Sequence, residues 1–314
     1  MLHIHNGDSV ANTLRGALPG EHIVWCDTLH DGPCLAGLNT EEWRTLRAAH
    51  HAAGGWGTVQ RCADYMKAMD DALESWRAHD EIVLWFEHDL FDQLILIRLL
   101  DYFAGQELGT RLLTLVTLHE FPGVTPFYGL GQLNAEQLAT LFPQRCEVSP
   151  EQFELAHRAW QAFTATDPMK LQTLMLQLGE AAPLAYLGAA LERHFQEFPS
   201  LENGLARTER QILQAVADGA KTPGELFNAT QAMEERPFLG DTTLFNFAAR
   251  LGRGPVPLLL GESGKFQLTA AGRDVLTNRA DNIELNGCDR WLGGVQLQGG
   301  KVWRWDVGTR RLHG

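Results

Sequence analysis

Short apolar runs alternate with helical patterns over roughly the first 135 residues. The strand-like runs cover residues 2–5, 22–26, 81–86 and 112–118. Between them, apolar positions recur at helical spacing over residues 10–18, 40–53, 58–78 and 90–103. Strands separated by helices predict a parallel sheet with right-handed crossovers. The pattern therefore predicts a Rossmann-like or flavodoxin-like α/β domain over residues 1–148.

From residue 149 onwards the pattern indicates helices only. Ser149-Pro150-Glu151 is a strong helix start, because proline fits the first helical position. Asp167-Pro168 repeats this signal, and Pro183 opens a third helix that runs to about residue 198. We expect a helical segment over residues 149–200 that packs on the sheet.

The last third of the chain has a different outline. Three short amphipathic helices, at 208–218, 222–233 and 241–251, precede strand-like runs at 256–260 and 266–269. Three helices followed by a β-hairpin are typical of a winged helix. Glycines after residue 286 indicate the turns of a terminal hairpin. The sequence therefore predicts a winged-helix-like domain with a terminal hairpin over residues 201–314.

Composition excludes some classes of protein. No apolar run approaches the roughly 18 to 20 residues that a membrane span requires, so we expect no membrane insertion. The first five residues lack a basic region and lead straight into a strand, which predicts a cytoplasmic protein without a secretory signal. The five cysteines include no Cys-x-x-Cys pair, so we expect reduced thiols.

The net charge of −13 is unevenly distributed. Residues 201–314 hold 14 Lys and Arg against 13 Asp and Glu, so the acidity belongs to the first 200 residues. An acidic front part binds nucleic acid poorly, because that binding depends largely on phosphate neutralisation. The helix at 241–251 carries no cation in its first two turns, so charge does not favour a nucleic-acid partner.

The first strand ends in Asn6-Gly7-Asp8-Ser9. Glycine permits a tight turn there, and free backbone N–H groups at a helix start favour an anion. The segment is neither the dinucleotide fingerprint nor a phosphate-binding Walker loop. It is either a ligand-binding turn or a capped helix, with Asp8 or Ser9 as the N-cap.

The second strand is followed by Asp27 and by His30-Asp31-Gly32-Pro33. Such a loop can carry a catalytic acid or base. It can equally be a structural turn, in which Asp31 caps and Gly-Pro redirects the chain.

The third strand ends in Glu87-His88-Asp89, with Asp92-Gln93 one turn later. Asp89 is a natural N-cap, and Asp92, three residues later, can complete a capping box with it, so these two residues have a structural interpretation. Glu87 and His88 have none. Together these groups suit a general base, a hydroxyl clamp or ligands of a hard divalent cation.

The fourth strand is followed by His119-Glu120 and then by a loop rich in aromatic residues and glycine, residues 127–131. Such a loop suits the wall of a site for a flat ligand, or it packs on the helical layer.

These strand ends predict one polar pocket, because the carboxyl ends of parallel strands meet at one edge of a sheet. The predicted catalytic residues are His30, Asp31, Glu87 and His88. The predicted ligand-binding residues are Asn6, Gly7, Asp8, Ser9, Asp27, Asp92, His119 and Glu120. We expect a hydrolase-type enzyme for a phosphorylated or nucleotide-like small molecule, with a divalent cation as the candidate cofactor. The alternative is a ligand-sensing transcriptional regulator or a protein-interaction module that uses the winged helix.

Four segments form a specific combination that extends over most of the chain. They are Leu2-His3-Ile4-His5-Asn6-Gly7-Asp8-Ser9, Leu29-His30-Asp31-Gly32-Pro33, Leu84-Trp85-Phe86-Glu87-His88-Asp89-Leu90-Phe91-Asp92-Gln93 and Arg193-His194-Phe195-Gln196-Glu197-Phe198-Pro199. In these segments the chain resembles a bacterial family catalogued as domain of unknown function 1835. The resemblance implies that the strand-end motifs belong together, and it implies no substrate.

Overall fold

The computed structural model describes residues 1–179, 181–262 and 264–314. The front part contains β1 (Leu2–His5), α1 (Asp8–Leu14), β2 (Glu21–Val24), β3 (Gly32–Pro33), α2 (Thr40–Ala53), α3 (Val59–Leu73), β4 (Glu81–Trp85), α4 (Leu90–Ala104), β5 (Leu112–Val116), α5 (Ala135–Leu141) and β6 (Cys146–Glu147). All of its strands except β3 form a five-stranded, mostly parallel sheet, so the prediction of a mixed α/β fold is confirmed.

The strand order in this sheet is β2-β1-β4-β5-β6. The first four strands are parallel, and β6 is antiparallel to β5. Strand β1 has β2 on one side and β4 on the other, so the chain reverses its direction of travel across the sheet between β1 and β4. The sequence did not predict β6, because two residues are too short for a periodic signal.

Both faces of the sheet are covered. On one face, Val10 and Leu14 of α1 and Leu138 of α5 pack with Val83 and Trp85 of β4. On the other face, apolar side chains of α3 and α4 pack with β1, β2 and β4. Ten of the fifteen residues of α4 are buried, because α4 also packs against the helical segment that follows. Contacts with the sheet on one side and with the helical segment on the other explain why α4 is apolar on nearly all sides.

The remaining elements are mainly helices, followed by short antiparallel strand pairs. The helical segment contains α6 (Pro150–Phe163), α7 (Met169–Gln177) and α8 (Leu187–Phe195). The last third contains α9 (Arg207–Ala217), α10 (Pro223–Ala232), α11 (Asp241–Leu251), β7 (Leu259–Glu262), β8 (Lys265–Leu268), α12 (Ala270–Leu276), α13 (Asn282–Asn286), β9 (Cys288–Gly293), β10 (Val295–Gly299), β11 (Arg304–Asp306) and β12 (Arg311–His313). Strands β7 and β8 form an antiparallel hairpin, as do β9 and β10.

Several boundaries differ from the prediction; for example, the helix predicted to begin at Pro183 begins at Leu187. Two of the differences have local reasons. Strand β7 begins at Leu259 rather than at residue 256, because Pro255 and Pro257 have no N–H group for the ladder. Helix α1 begins at Asp8, its N-cap is Gly7, and no side chain caps it. The prediction that Asp8 or Ser9 caps α1 is therefore wrong.

The three segments of the chain share contacts and one large hydrophobic cluster. Strand β3 pairs in parallel with β9, and Ser200 forms a bridge with Trp305. Trp305 stacks on Phe195 of α8 at 5.5 Å between ring centroids. Within the described residues, none of the helices combines the length and the hydropathy that crossing a bilayer requires.

Candidate functional site

The candidate site lies at the carboxyl ends of β1 and β4. Asn6 directly follows β1, and Glu87 comes two residues after β4. These are the neighbouring strands between which the chain order reverses. In open α/β sheets the crevice outside such a reversal is where ligands bind.

Three carboxylates, Glu87, Asp89 and Asp92, form what we call the carboxylate cluster. All three residues are buried, and one oxygen from each lies within 4.8 Å of the others. The Asp89 side chain caps α4 by accepting a hydrogen bond from the Asp92 N–H at 2.9 Å. Asp92 then accepts from the Glu87 N–H at 2.8 Å and from the Asn6 amide at 2.7 Å. The predicted cap thus also sets the position of the other two groups.

A neighbouring loop holds the Glu87 carboxyl in place. The Leu130 N–H donates to Glu87 Oε1 at 2.7 Å. A Cβ atom at Gly129 would lie 1.7 Å from Glu87 Oε2, so only glycine leaves room for this carboxyl. Gly131 lies next to Ser9, since a Cβ there would be 3.5 Å from the Ser9 hydroxyl oxygen. The loop therefore connects the ends of β1 and β4.

Among the residues that the structure describes, no cationic side chain compensates the charge of the carboxylate cluster. None of its three members forms an ion pair with a residue that the structure describes. Burial and the charge of Asp92 raise the pKa of Glu87 to about 9, and burial raises the pKa of Asp92 to about 6. Burial and the two neighbouring carboxylates raise the pKa of Asp89 as well. At neutral pH the cluster must hold protons or a cation.

Asp27 and Asp31, which follow β2, have cationic partners instead. The Arg47 guanidinium donates to Asp27 at 2.6 to 3.2 Å, and the His51 ring lies 2.9 Å from the same carboxylate. Asp31 pairs with Arg250 at 3.3 Å and lies 3.5 Å from the His50 ring. Burial alone would raise both pKa values, but these partners outweigh it and hold the pKa of each carboxyl well below its usual range.

His30 is enclosed by aromatic rings. It makes edge contacts with Phe91 at 5.9 Å and with Phe238 at 5.2 Å between ring centroids. Neither ring nitrogen has a hydrogen-bond partner among the described residues. Burial lowers the pKa of His30 to about 4, so the imidazole is neutral at pH 7. The structure places it beside Asp31 and away from hydrogen-bonding contact with the carboxylate cluster.

The carboxyl ends of β1, β2 and β4 lie at one edge of the sheet, because these three strands are parallel neighbours, and Cys26 follows β2 at that edge. Burial first, and then the charges of Asp27, Asp92 and Asp8, raise the pKa of this thiol to about 12. Those three carboxylates follow three different strands. The high pKa also disfavours Cys26 as a nucleophile.

His88 and His119 belong to an aromatic group beside the carboxylate cluster. The His88 ring stacks on Phe127 at 6.2 Å and meets the edge of Tyr186 at 6.0 Å. His119 bonds to the Tyr186 hydroxyl at 2.9 Å through Nδ1, and Glu120 is exposed. The predicted residues thus form three groups around one sheet edge.

Sequence reasoning missed the partners of the predicted residues. Arg47 had a local signal, because it lies one helical turn from Trp43 on the buried face of α2. An arginine on an apolar face indicates a buried ion pair. Arg250 and Gly129 had no such signal, because each acts on a residue far away in the sequence.

The chain was also compared with known proteins. A scan against protein-family models finds no match, and a search of curated proteins finds no match either.

Proposed function

We propose that the protein is a hydrolase-type enzyme whose reaction takes place at the carboxylate cluster, in a flavodoxin-like α/β domain. The observation that carries this proposal is the burial of three carboxylates that pair with no cationic side chain of the described residues, at the strands where the chain order reverses. Burying uncompensated charge costs stability, so such an arrangement is typical of functional sites.

The cluster provides carboxyl groups in two different environments. Glu87 retains a proton at pH 7, whereas Asp92, which accepts two hydrogen bonds, loses its proton more easily. A protonated and an ionised carboxyl side by side are the usual pair for general acid–base hydrolysis. The ionised group takes a proton from water, the water oxygen bonds to the substrate, and Glu87 protonates the leaving group as its bond breaks.

A divalent cation fits the same residues. Carboxylate oxygens are the ligands that Mg²⁺ and Ca²⁺ prefer, and one oxygen from each of the three residues lies within 4.8 Å of the others. An ionised cluster would repel a phosphate unless a cation were bound between them. For a phosphorylated or nucleotide-like substrate, a cation would replace the Glu87 proton: Glu87, Asp89 and Asp92 would hold it as ionised ligands, and metal-assisted hydrolysis would take the place of the acid–base pair.

A ligand and turnover screen tests the proposal. The panel contains nucleotides and sugar phosphates, each with Mg²⁺, Mn²⁺ or EDTA, and it measures thermal stabilisation and product release. We expect one substrate class to be turned over and Glu87→Gln to reduce its turnover by at least about 100-fold. Glu154→Gln, at an exposed position on α6, is the matched control. Equal turnover by wild type and Glu87→Gln would exclude this chemistry.

For the last third of the chain we propose a winged-helix-like domain that covers the front part. Asn246 of α11 donates to the Gly54 carbonyl at 2.7 Å, and Arg250 of the same helix pairs with Asp31. These contacts favour a covering role for α11 over reading nucleic acid, so we do not adopt the regulator as the main proposal.

Membership of the family of domain of unknown function 1835 stays a proposal. It rests on the four resembling segments of the sequence.

A further inference from the structure

Three histidines are stacked on the face of the sheet that α1 covers. His3 and His5 belong to β1, and His22 belongs to the neighbouring strand β2. The His22 ring is stacked on His3 at 4.4 Å and on His5 at 5.4 Å between ring centroids. All three residues are buried. We call them the histidine array.

The hydrogen bonds of His22 and His5 leave no place for an additional proton. His22 Nε2 lies 3.2 Å from the Leu18 carbonyl, which can only accept, so Nε2 carries the hydrogen. His22 Nδ1 therefore accepts from His5 Nε2 at 3.1 Å. His5 Nδ1 is buried and has no partner among the described residues. A proton on His22 Nδ1 would face the His5 N–H, and a proton on His5 Nδ1 would have no acceptor.

His3 is held in the same way. Its Nε2 donates to the Pro19 carbonyl at 3.3 Å, and its Nδ1 accepts from the Trp85 indole N–H at 3.1 Å. A proton on His3 Nδ1 would face that indole N–H. Gly20, which has a φ of +138°, closes over the ring, since a Cβ there would lie 3.0 Å from it. The loop after α1 therefore supplies both the carbonyls and the cover of the array.

The charged groups around the array do not favour a protonated ring. None of the three rings forms an ion pair with a residue in the described ranges. The groups that face the array are the Arg15 guanidinium after α1, the N-terminal amine of Met1, and Glu81 of β4 with its partner Arg145. Arg15 and the amine are cations, and Arg145 binds the Glu81 carboxylate at 2.6 Å. The surroundings therefore disfavour a further positive charge.

Burial and the neighbouring rings lower the pKa of His3 to about 4 and that of His5 to about 2. Burial also lowers the pKa of His22. A histidine that is released into water has a pKa of about 6.5. The released rings therefore take up protons below pH 6.5 that the packed rings do not. The packed state loses stability as pH falls from 6.5 towards 4 and below.

Helix α1 and residues 15–20 are the part of the cover that opens most easily. Helix α1 has only seven residues and no side-chain cap. Most of residues 15–20 are exposed. Helix α5, which covers the same face, begins with a capping box at Asn134. Local opening starts in segments that few contacts hold, so the segment after β1 is where the array gains access to water.

We propose that the histidine array is an acid-sensitive switch, which holds α1 and residues 15–20 on the sheet near neutral pH and releases them in acid. Helix α1 begins two residues after Asn6, whose amide donates to Asp92 at 2.7 Å. Release of α1 therefore disturbs the support of the carboxylate cluster. The switch acts on the candidate site, but its test does not require the proposed reaction.

Hydrogen–deuterium exchange of the full chain at pH 7.5 and pH 5.5, corrected for the intrinsic exchange rates, measures this opening. Each released ring raises the opening constant about tenfold between these pH values. We expect the amides of residues 8–20 to open at least about 100-fold more readily at pH 5.5, because both His3 and His5 contribute. At pH 5.5 these amides should also open at least about tenfold more readily than those of α6.

Glutamine variants show whether the array causes the response. Glutamine offers an N–H donor and a carbonyl acceptor but does not titrate near neutral pH. We expect His5→Gln to reduce the response of residues 8–20 by about tenfold, and His22→Gln to reduce it by about threefold to tenfold. His313→Gln, at a half-exposed histidine of β12, is the matched control and should keep the full response.

Three results would overturn the switch. They are equal opening of residues 8–20 at both pH values, a full wild-type response in His22→Gln, and equal opening of residues 8–20 and α6 at pH 5.5, which would indicate unfolding of the whole chain. If His5→Gln does not fold, His22→Gln decides, because β2 is an edge strand.

Nitrogen-15 NMR of the imidazole rings gives an independent test. At pH 7 we expect all three rings of the array to be neutral, with the hydrogen on Nε2. A ring that carries its hydrogen on Nδ1, or that titrates near pH 6.5 in the folded chain, would contradict the proposed hydrogen bonds.

Discussion

The acidic residues after β2 and those after β4 follow neighbouring parts of one sheet but are compensated differently. Asp27 and Asp31 are buried and face Arg47, Arg250 and two histidines. The carboxylate cluster after β4 is equally buried and has no ion-pair partner among the described residues. The pKa values are lowered in the first group and raised in the second.

This difference distinguishes structure from function among residues of one chemical type. A buried carboxylate with a hydrogen-bonded cation holds two parts of a chain together, as Arg47 does for the loop after β2. A buried carboxylate without a cation lowers stability and persists where a proton or a ligand is needed. The role of such a carboxylate therefore depends on whether it has a cationic partner and not on its position at a strand end.

The largest expected effect comes from removing the countercharge at the first group. Arg47→Met leaves Asp27 buried with His51 as its remaining partner, and we expect it to reduce the free energy of unfolding by about 3–5 kcal/mol. Urea denaturation at pH 7 measures the change. Arg47→Met combined with Asp27→Asn should recover part of the loss, because the uncompensated charge is then gone. A loss below about 1 kcal/mol would show that the pair is not the main support of this loop.

The second effect concerns the glycine beside the carboxylate cluster. In Gly129→Ala, the new methyl group collides with the Glu87 carboxyl, which must leave the Leu130 N–H. We expect a destabilisation of about 1–3 kcal/mol, as for other overpacked sites. Thermal denaturation measures it, with Gly7→Ala, where a Cβ meets no neighbour, as the control. Equal melting temperatures for the two variants would contradict the close contact.

The acidic residues after β2 and the carboxylate cluster after β4 also show how much of the site could be predicted from the sequence. The parallel sheet, the buried α4 and the polar strand ends followed from local periodicity and from residue type. The division into compensated and uncompensated carboxylates did not, because Arg250 reaches Asp31 across 219 residues and Gly129 reaches Glu87 from another loop. Local patterns report what a residue can do, whereas tertiary contacts decide whether its charge is neutralised.

The third expected effect is a gain in the free energy of unfolding, whereas the first is a loss. The pKa of Glu87 is about 9 in the fold against 4.5 in an unfolded chain, so the unfolded chain releases a proton that the fold retains. Stability therefore falls as pH rises between these values. The side chain of Glu87→Gln cannot titrate. We expect the gain in free energy of unfolding of this variant over wild type to be larger at pH 8 than at pH 5, by at least about 1.4 kcal/mol.

Urea denaturation of Glu87→Gln and wild type at both pH values measures this change. Glu154→Gln, at an exposed site, should follow the wild type at each pH. A Glu87→Gln variant that is destabilised at pH 8 would show that the Glu87 carboxylate is compensated after all, like Asp27.

The smallest expected effect concerns His30, which lies beside Asp31 but has no hydrogen-bond partner of its own among the described residues. His30 has a pKa of about 4 in the fold against 6.5 in an unfolded chain, so acid protonates the unfolded chain first. Its contribution to stability is present above pH 6.5 and is lost as pH falls towards 4. His30→Phe keeps the aromatic contacts with Phe91 and Phe238 but removes this loss. As pH falls from 7 to 5, we expect the free energy of unfolding of His30→Phe to rise by about 1 kcal/mol relative to that of wild type. Urea denaturation at both pH values measures this change. An equal pH dependence of the free energy of unfolding in wild type and His30→Phe would contradict the burial of a neutral imidazole at this position.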